Sequence, residues 1–586
     1  MIVALAAMPI FGSAAAAIEY SNVYKAKQHL QDALDAAALA TAKELAVSAD
    51  KPYLAAYARN FFDANLNNTI DQAKIIFDFD FGPAVTGGNR VYLDVDYTYD
   101  TYMADILGVD EIPMHIGATI AAGNSTAEIA IVIDNSGSMD TTSGSNGETR
   151  LELAQAAATS LVTFLHQAAT FSNKPDPIKI SVVPFGASVN VGSQYRGADW
   201  LDMKGWSSVH HENFNWNGTA TAGDSWPSAI ASGGGWKSAT TTTVSVGPNP
   251  PNPLPAGITS FNSTWLSRWT LLDAIGTAWQ GCVEMRPSPY NSDDTTPTDV
   301  TPDTLIVPMF APDEPERRNS SEDNDYRNRY LNDYVRVGPD YAAATANYGN
   351  NTKQHNRQDW TRKYNNDAKV RNASNNILIG QQRTLDLGAY GPNQGCTTDP
   401  VQPLTNSAAT AITAIANMDP GGYTNVHEGI AWGWRTLSAN APFTQGRGYD
   451  IAENDKYVIV LTDGNNTYPA QSTMNQTEYY AWGFGKDNRV SGGLLNWSSN
   501  VDAMNQQTAK TCDNIKAVQD ADLESAYAIF TIAYDVPDGS SVKTLLENCA
   551  SIGPDGKRYY YDVEGDAITD ALAAIGNEIS QLRIAQ

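Results

Sequence analysis

The sequence has few basic residues for its length and a large excess of acidic ones. Lysine and arginine together number 38 against 65 aspartates and glutamates, which gives a net charge of −27. Because a surface that binds nucleic acid needs a basic face, this balance argues against nucleic acid as a partner. An acidic chain suits solubility and the binding of hard cations instead.

Cysteine is also scarce, with four in 586 residues and no Cys-x-x-Cys pair. Without a His/Cys cluster a zinc site has no support. An even number of widely spaced cysteines is typical of two disulfides in an oxidising compartment. Because each pair would lie within one region of the chain, we expect the disulfides Cys282–Cys396 and Cys512–Cys549. Four free, buried thiols are the alternative.

Motifs that mark common enzyme families are missing as well. Neither Gly-x-Gly-x-x-Gly nor Gly-x₄-Gly-Lys-Ser/Thr occurs, and no Gly-x-Ser-x-Gly is present. The adjacent His210 and His211 have no third ligand nearby in the sequence, so we interpret them as surface residues. With no general base that can be assigned to a cleft, the sequence predicts a binding protein and not an enzyme.

What the sequence does contain is a buried strand that runs into oxygen-bearing side chains. Residues 128–133 (EIAIVI) are mostly β-branched and lack polar alternation, which predicts a buried strand. Asp134, Ser136 and Ser138 follow at every second position. A carboxylate and two hydroxyls are ligands that Mg²⁺ or Ca²⁺ prefers, but three ligands do not complete a shell. The alternative is a loop in which Ser and Asp cap the next helix.

Two later segments offer the same kinds of ligand. Thr424 precedes an amphipathic helix, and Asp463 follows a second buried run at residues 456–461 (KYVIVL). The combined set resembles the metal-ion-dependent adhesion site of von Willebrand factor type A domains: Asp134, Ser136, Ser138, Thr424 and Asp463. The resemblance implies a divalent cation, Mg²⁺ first and Mn²⁺ or Ca²⁺ next. It also implies a protein partner that supplies a carboxylate to complete the shell.

Strands and helices alternate on both sides of this set, which predicts an α/β fold with a doubly wound, mostly parallel sheet. Ligands of such sheets bind beyond the carboxyl ends of the strands. Residues 190–402 interrupt the pattern as a large insertion, with eight of the thirteen tryptophans between Trp200 and Trp279. These aromatic residues form either the insertion's own small core or a contact surface for sugar or protein.

The chain starts with 18 uncharged, predominantly apolar residues, the short end of what spans a bilayer. A cleaved signal peptide is the alternative, although its basic n-region is missing. An amphipathic helix follows, with an apolar face at helical spacing: Leu30, Leu34, Ala37, Ala38 and Leu45. From residue 75 to 99 apolar and polar residues alternate with a period of two, which predicts an antiparallel hairpin with one face exposed to solvent.

This start, above all LQDALDAAALATA at residues 30–42, resembles the N-terminal segment of TadE/TadG-like proteins of Flp (tight-adherence) pilus assembly. TadG-like members join such an anchor to a von Willebrand A-type domain. We therefore expect a membrane anchor with a pilin-like helix (1–48) and a small β-rich, pilin-like α+β module (49–127). A type A domain in two parts (128–189 and 403–586) follows, divided by the insertion (190–402).

The resemblance implies a single-pass protein of the bacterial inner membrane, with its body in the periplasm or exposed at the envelope surface. Its expected function is metal-dependent binding or adhesion, with pilus or envelope components as partners. A structural envelope protein with a purely stabilising metal, or a metal-dependent hydrolase in the insertion, are the alternatives.

Overall fold

The structure, a computed structural model, describes the chain in segments, and the first helix has described side chains from residue 19 onward. The described residues are 2–45, 50–66, 70–83, 89–101, 109–122, 125–169, 172, 174–214, 243–245, 260–262, 267–315, 327–331, 358–359, 364, 370–371, 377–378, 391–451, 453–468, 470–490, 497–520, 525–554 and 556–585.

The N-terminal part consists of two helices packed on a three-stranded antiparallel sheet. The helices are α1 (Ile2–Glu44) and α2 (Lys51–Asn65), and the strands, in spatial order, are β1 (Ile75–Pro83), β2 (Asn89–Asp100) and β3 (Glu111–Ala122). The sequence predicts the β1–β2 hairpin but not β3.

The predicted apolar face is confirmed, because Leu30, Leu34, Ala37 and Ala38 of α1 and Leu45 directly after it are at most 1% exposed. They pack in one core with α2 and with the inward side chains of the sheet. The predicted anchor at residues 1–18 lies outside the described side chains. Within the described part of the chain, no helix is both long enough and apolar enough to cross a membrane.

The second part of the chain alternates strands and helices around a large insertion. Before the insertion come β4 (Thr126–Asp134), α3 (Arg150–Ala169) and β5 (Ile178–Phe185). Short elements follow: β6 (Val189–Asn190), β7 (Thr243–Ser245), β8 (Ser260–Asn262), α4 (Arg268–Ala274), β9 (Cys282–Val283), β10 (Val370–Arg371) and β11 (Ile377–Leu378). After them come β12 (Gln402–Thr405), α5 (Ala408–Ala416), α6 (Val426–Leu437), β13 (Asn454–Thr462), α7 (Trp497–Lys516), β14 (Tyr527–Tyr534), α8 (Ser541–Cys549), β15 (Tyr560–Val563) and α9 (Ile568–Ala585).

Six of these strands form one sheet in the order β12-β5-β4-β13-β14-β15, antiparallel only between β12 and β5. Alternate residues of the buried central strand β4 point to opposite faces. Ile129 and Ile131 pack with α3, α5 and α9, whereas Ala130 and Val132 pack with α6 and the insertion. This confirms the predicted mixed α/β architecture with a mostly parallel sheet covered by helices on both faces.

The described tryptophans of the insertion are buried, at most 8% exposed: Trp200, Trp206, Trp269 and Trp279. They share one apolar core with α6 and the sheet, so they do not form a separate small core. The other four tryptophans of this stretch lie outside the described residues. The interpretation of His210 as a surface residue is wrong, because its side chain is fully buried with Nδ1 3.0 Å from Asp202 Oδ2.

Candidate metal centre

The carboxyl ends of β4 and β13 bring two aspartates to one edge of the sheet. The strands pair in parallel with Ile133 beside Leu461, so the residues that follow emerge side by side. Asp134 ends β4, and Asp463 comes directly after β13. Asp134 is 0% and Asp463 4% exposed. Two buried carboxylates therefore sit at the end of the sheet where α/β proteins bind ligands.

A continuous chain of hydrogen bonds connects the predicted hydroxyls to one of these carboxylates. Thr424 Oγ1 donates to Ser136 Oγ at 3.0 Å, and Ser136 Oγ lies 3.0 Å from Ser138 Oγ. Ser138 Oγ donates to Asp463 Oδ1 at 2.7 Å. Asp134 joins through its own loop, because its Oδ1 accepts from the Ser136 N–H at 2.9 Å. The structure thus brings all five predicted residues into one hydrogen-bonded group.

Close backbone contact holds the loop after Asp134 against the loop that carries Thr424. The Gly137 N–H donates to the Gly422 carbonyl at 3.0 Å. Gly422 has a φ of 78°, a conformation that glycine adopts without strain, and a Cβ there would lie 2.5 Å from Thr397 Oγ1. The conformation of the loop that carries Thr424 and its contact with Thr397 therefore favour glycine at this position.

The charge of the group is poorly compensated by the hydroxyls alone. Burial raises the pKa of Asp134 to about 7, and the negative charge of Asp463 acts in the same direction. Hydrogen bonds from Ser136 and Thr462 oppose the rise, the latter at 2.6 Å from Thr462 Oγ1 to Oδ2. A divalent cation would stabilise this group because it offsets both the desolvation and the repulsion of the two carboxylates.

The kinds of ligand in the group suit a hard cation, because Mg²⁺ and Ca²⁺ both bind carboxylate and hydroxyl oxygens. The oxygen–oxygen distances along the chain, 3.0, 3.0 and 2.7 Å, are ordinary hydrogen-bond lengths. Among the described residues, three or more His, Cys, Asp or Glu nowhere form a metal-binding group. A cation at this position would therefore depend on the hydroxyls as much as on the carboxylates.

Two further charged residues, which sequence reasoning does not single out, border the group. Arg150 Nη1 donates to Asp463 Oδ2 at 2.8 Å, and its Nε donates to Asp535 Oδ2 at 2.9 Å. Burial alone would raise the pKa of Asp535, but hydrogen bonds from Ser143, Gly565 and Arg150 hold that pKa below its usual range. Asp535 directly follows β14, so the rule that identifies Asp463 at a strand end also identifies Asp535. No local signal marks Arg150.

Both expected disulfides are formed in the structure: Cys282–Cys396 and Cys512–Cys549. The first one lies where the insertion meets the candidate centre, because the next residue, Thr397, donates from Oγ1 to the Gly421 carbonyl at 2.9 Å. The second one joins α7 to α8. The first disulfide therefore joins two parts of the insertion at a point close to the loop that carries Thr424.

An open groove of about 850 Å³ lies elsewhere, at the amino-terminal ends of β13 and β14. Its lining includes Lys456, Tyr527 and Arg558 and none of the five predicted residues. The groove and the candidate centre therefore lie at opposite edges of the sheet.

Three solved pilus proteins are similar to this chain at low identity. The PilB minor pilin from Streptococcus sanguinis is 10% identical, with 86% of this chain and 78% of that chain covered and a TM-score of 0.29. The von Willebrand domain of the type V pili tip protein Mfa5 from Porphyromonas gingivalis is 10% identical, with 78% of this chain and 96% of that chain covered and a TM-score of 0.29. The adhesive tip pilin GBS104 from Group B Streptococcus agalactiae is 10% identical, with 78% of this chain and 100% of that chain covered and a TM-score of 0.30. TM-scores this low do not establish a shared fold. The fold described above follows from the strand order and pairing of this chain alone.

No curated protein matches the sequence significantly. Residues 1–44 match the Tad family, described as Flp pilus-assembly TadE/G-like. The matched segment coincides with helix α1, which ends at Glu44. This match confirms the resemblance that the sequence predicts: the N-terminal segment of the chain, residues 1–44, is similar to TadE/G-like Flp pilus-assembly proteins.

Proposed function

We propose that this protein belongs to the envelope machinery of Flp pilus assembly and binds a protein partner through a divalent cation, most simply Mg²⁺. Residues 1–18 would anchor it in the inner membrane, and the second sheet would form a von Willebrand A-type domain. The convergence of two buried carboxylates and three hydroxyls, from three separate segments, carries the proposal.

Each residue has a role that follows from its contacts. Ser136, Ser138 and Thr424 would offer hydroxyl oxygens to the cation, and Asp463 would offer Oδ1. Asp134 would act directly or through water, since both of its oxygens already accept hydrogen bonds. The cation supplies a positive centre that attracts a carboxylate from the partner.

Access to the group is restricted to one side. Thr424 and Ser136 are buried, whereas Gly137 and Ser138 are exposed. A partner carboxylate would therefore approach over Gly137 and Ser138. Because only two aspartates contribute charge, a bound Mg²⁺ would keep enough positive character to attract a third carboxylate. This arrangement favours reversible binding over a closed, purely structural metal site.

Calorimetric titration of the full chain with Mg²⁺, Mn²⁺ and Ca²⁺ tests the proposal. Wild type is expected to bind, and Asp134→Ala is expected to lose binding because it removes a buried charged group. Ser136→Ala is expected to weaken binding less, because a neutral hydroxyl contributes less attraction to a hard cation. Asp140→Ala, an exposed aspartate of the same loop, is the matched control. Equal affinities in wild type and Asp134→Ala would refute the site.

Partner binding and anchoring need separate experiments. A pull-down from envelope extracts is expected to recover a partner with Mg²⁺ and to lose it with EDTA. Unchanged piliation and adhesion in a variant that no longer binds metal would favour the purely structural role. Carbonate-washed membranes are expected to retain the protein, and recovery of an N-terminally shortened form from the periplasm would refute the anchor.

A further inference from the structure

Arg150 occupies a position between two carboxylates at the edge of the candidate centre. It is the first residue of α3, directly after the loop that carries Ser136 and Ser138. Its side chain is 19% exposed, while the carboxylates of Asp463 and Asp535 are 0% and 11% exposed. Because these groups are largely shielded from water, their contacts are screened less than a surface ion pair.

The two carboxylate oxygens of Asp463 accept hydrogen bonds from different donors. Oδ2 accepts from Arg150 Nη1 at 2.8 Å, and Oδ1 accepts from Ser138 Oγ at 2.7 Å. Only Oδ1 is therefore in the group of hydroxyls. We propose that Arg150 is a specificity-determining residue that makes Asp463 a one-oxygen ligand and thereby favours Mg²⁺ over Ca²⁺.

Coordination chemistry gives the direction of the effect. Mg²⁺ takes six ligands in near-ideal octahedral geometry, whereas Ca²⁺ takes six to eight and commonly uses both oxygens of a carboxylate. A guanidinium bonded to Oδ2 prevents that two-oxygen mode. Both oxygens of Asp535 are engaged as well, because Oδ2 accepts from Arg150 Nε and Oδ1 accepts from the Gly565 N–H, each at 2.9 Å. The centre is thereby kept poor in carboxylate oxygens.

This inference rests on the proposed cation binding, and calorimetry can separate the two. Mg²⁺ and Ca²⁺ are titrated separately into full-length wild type and Arg150→Gln. In the variant both oxygens of Asp463 become available, so the affinity for Ca²⁺ relative to Mg²⁺ is expected to rise at least about tenfold. Arg59→Gln is the matched control, because Arg59 Nε pairs with Asp63 Oδ2 at 2.9 Å on α2. Its cation preference is expected to equal that of wild type.

Two further variants identify the responsible contact. Asp535→Asn leaves the Arg150–Asp463 bond in place, so it is expected to keep the wild-type preference; a shift as large as that of Arg150→Gln would overturn the inference. Arg150→Lys keeps the charge but not the two-ended contact. A smaller shift toward Ca²⁺ is expected for it, which keeps the test decisive should Arg150→Gln not fold.

The outcomes distinguish the two claims. If wild type binds no divalent cation, the proposed function fails and this inference with it. If wild type binds Mg²⁺ and both Arg150 variants keep its preference, this inference alone is overturned.

Discussion

Helix α6 carries two buried titratable side chains directly after the Thr424 loop. Burial lowers the pKa of His427 to about 3, and the nearby positive charge of Arg435 acts in the same direction. Burial raises the pKa of Glu428 to about 8, although Arg435 opposes the rise. His427 Nε2 lies 2.8 Å from Thr511 Oγ1, and its ring stacks on Trp482. Both side chains are therefore mostly neutral near pH 7.

Glu428→Gln is expected to stabilise the protein relative to wild type, and increasingly so as pH rises from about 5 to about 8. The folded pKa of about 8 exceeds the unfolded value of about 4.5, so the folded state binds more protons between these values. Stability from this group is lost as pH rises through that window, by at most about 1.4 kcal/mol per pH unit. The variant should resemble wild type at about pH 5 and exceed it by at least about 1 kcal/mol at about pH 8.5.

Urea unfolding at the two pH values measures this difference. Glu547→Gln, at an exposed position on α8, is the control and is expected to follow wild type at both. A Glu428→Gln variant that follows wild type at alkaline pH would show that this carboxyl titrates normally in the folded protein.

Helix α6 is closely packed, because its twelve residues are all buried. Its inner face lies on β4 and β5, and its outer face is covered by the insertion and α7, as in the contact of Arg435 Nη2 with the Asn291 carbonyl at 3.2 Å. Gly433 marks one close approach of the helix to the sheet, because a Cβ there would lie 2.6 Å from Val132 Cγ2. The helix that follows Thr424 can thus lie close to the sheet because residue 433 has no side chain.

Gly433→Ala is expected to destabilise the protein by about 1–3 kcal/mol through overpacking. The sign of the change in unfolding free energy separates two effects. Helix propensity alone would make the alanine variant about 1 kcal/mol more stable, whereas overpacking makes it less stable. Gly82→Ala in β1 is the control, because no described atom lies within 4 Å of the position that its added methyl group would take. Denaturant midpoints measure both, and a stabilised Gly433→Ala would contradict the close packing.

At the scale of these elements, the sequence predicts the buried strands from their hydrophobic pattern and the site residues from their positions at strand ends. The buried runs of β4 and β13 are visible as continuous apolar stretches, and parallel pairing then places Asp134 and Asp463 together. Strand β3 does alternate, with Met114, Ile116 and Ala118 buried on one face, but Pro113 and Gly117 are unfavourable inside strands and weaken the signal. The ion pair between Arg150 and Asp463 joins residues 313 positions apart, and no local pattern encodes such a contact.

At the scale of the whole molecule, the insertion and the candidate centre are one packed unit. The disulfide Cys282–Cys396 closes a separation of 114 residues, and Thr397 beside it bonds the loop that carries Thr424. Thr398 Oγ1 donates to the Ser188 carbonyl at 3.3 Å, which adds a second contact to the sheet domain. Fixing this segment therefore also fixes one side of the centre.

Removing the two disulfides separately should have different consequences. Each loop closure contributes about 3–5 kcal/mol in the chain-entropy model, with the 114-residue separation worth about 1 kcal/mol more than the 37-residue one. The double variant Cys282→Ser/Cys396→Ser is expected to lose stability and Mg²⁺ affinity together. Cys512→Ser/Cys549→Ser, the control, is expected to lose stability while it keeps the affinity. Non-reducing peptide mapping checks the pairing, and crossed pairs or free thiols would refute it.

Anomalous diffraction from crystals of the full chain grown with Mn²⁺ locates the cation directly. We expect one strong peak within bonding distance, about 2.2 Å, of the hydroxyl oxygens of Ser136 and Ser138 and adjacent to Asp463. The hydrogen bonds that now join these oxygens should be replaced by bonds to the metal. A peak elsewhere, or no peak with Thr424, Ser136, Ser138 and Asp463 still bonded to one another, would contradict the proposed metal centre.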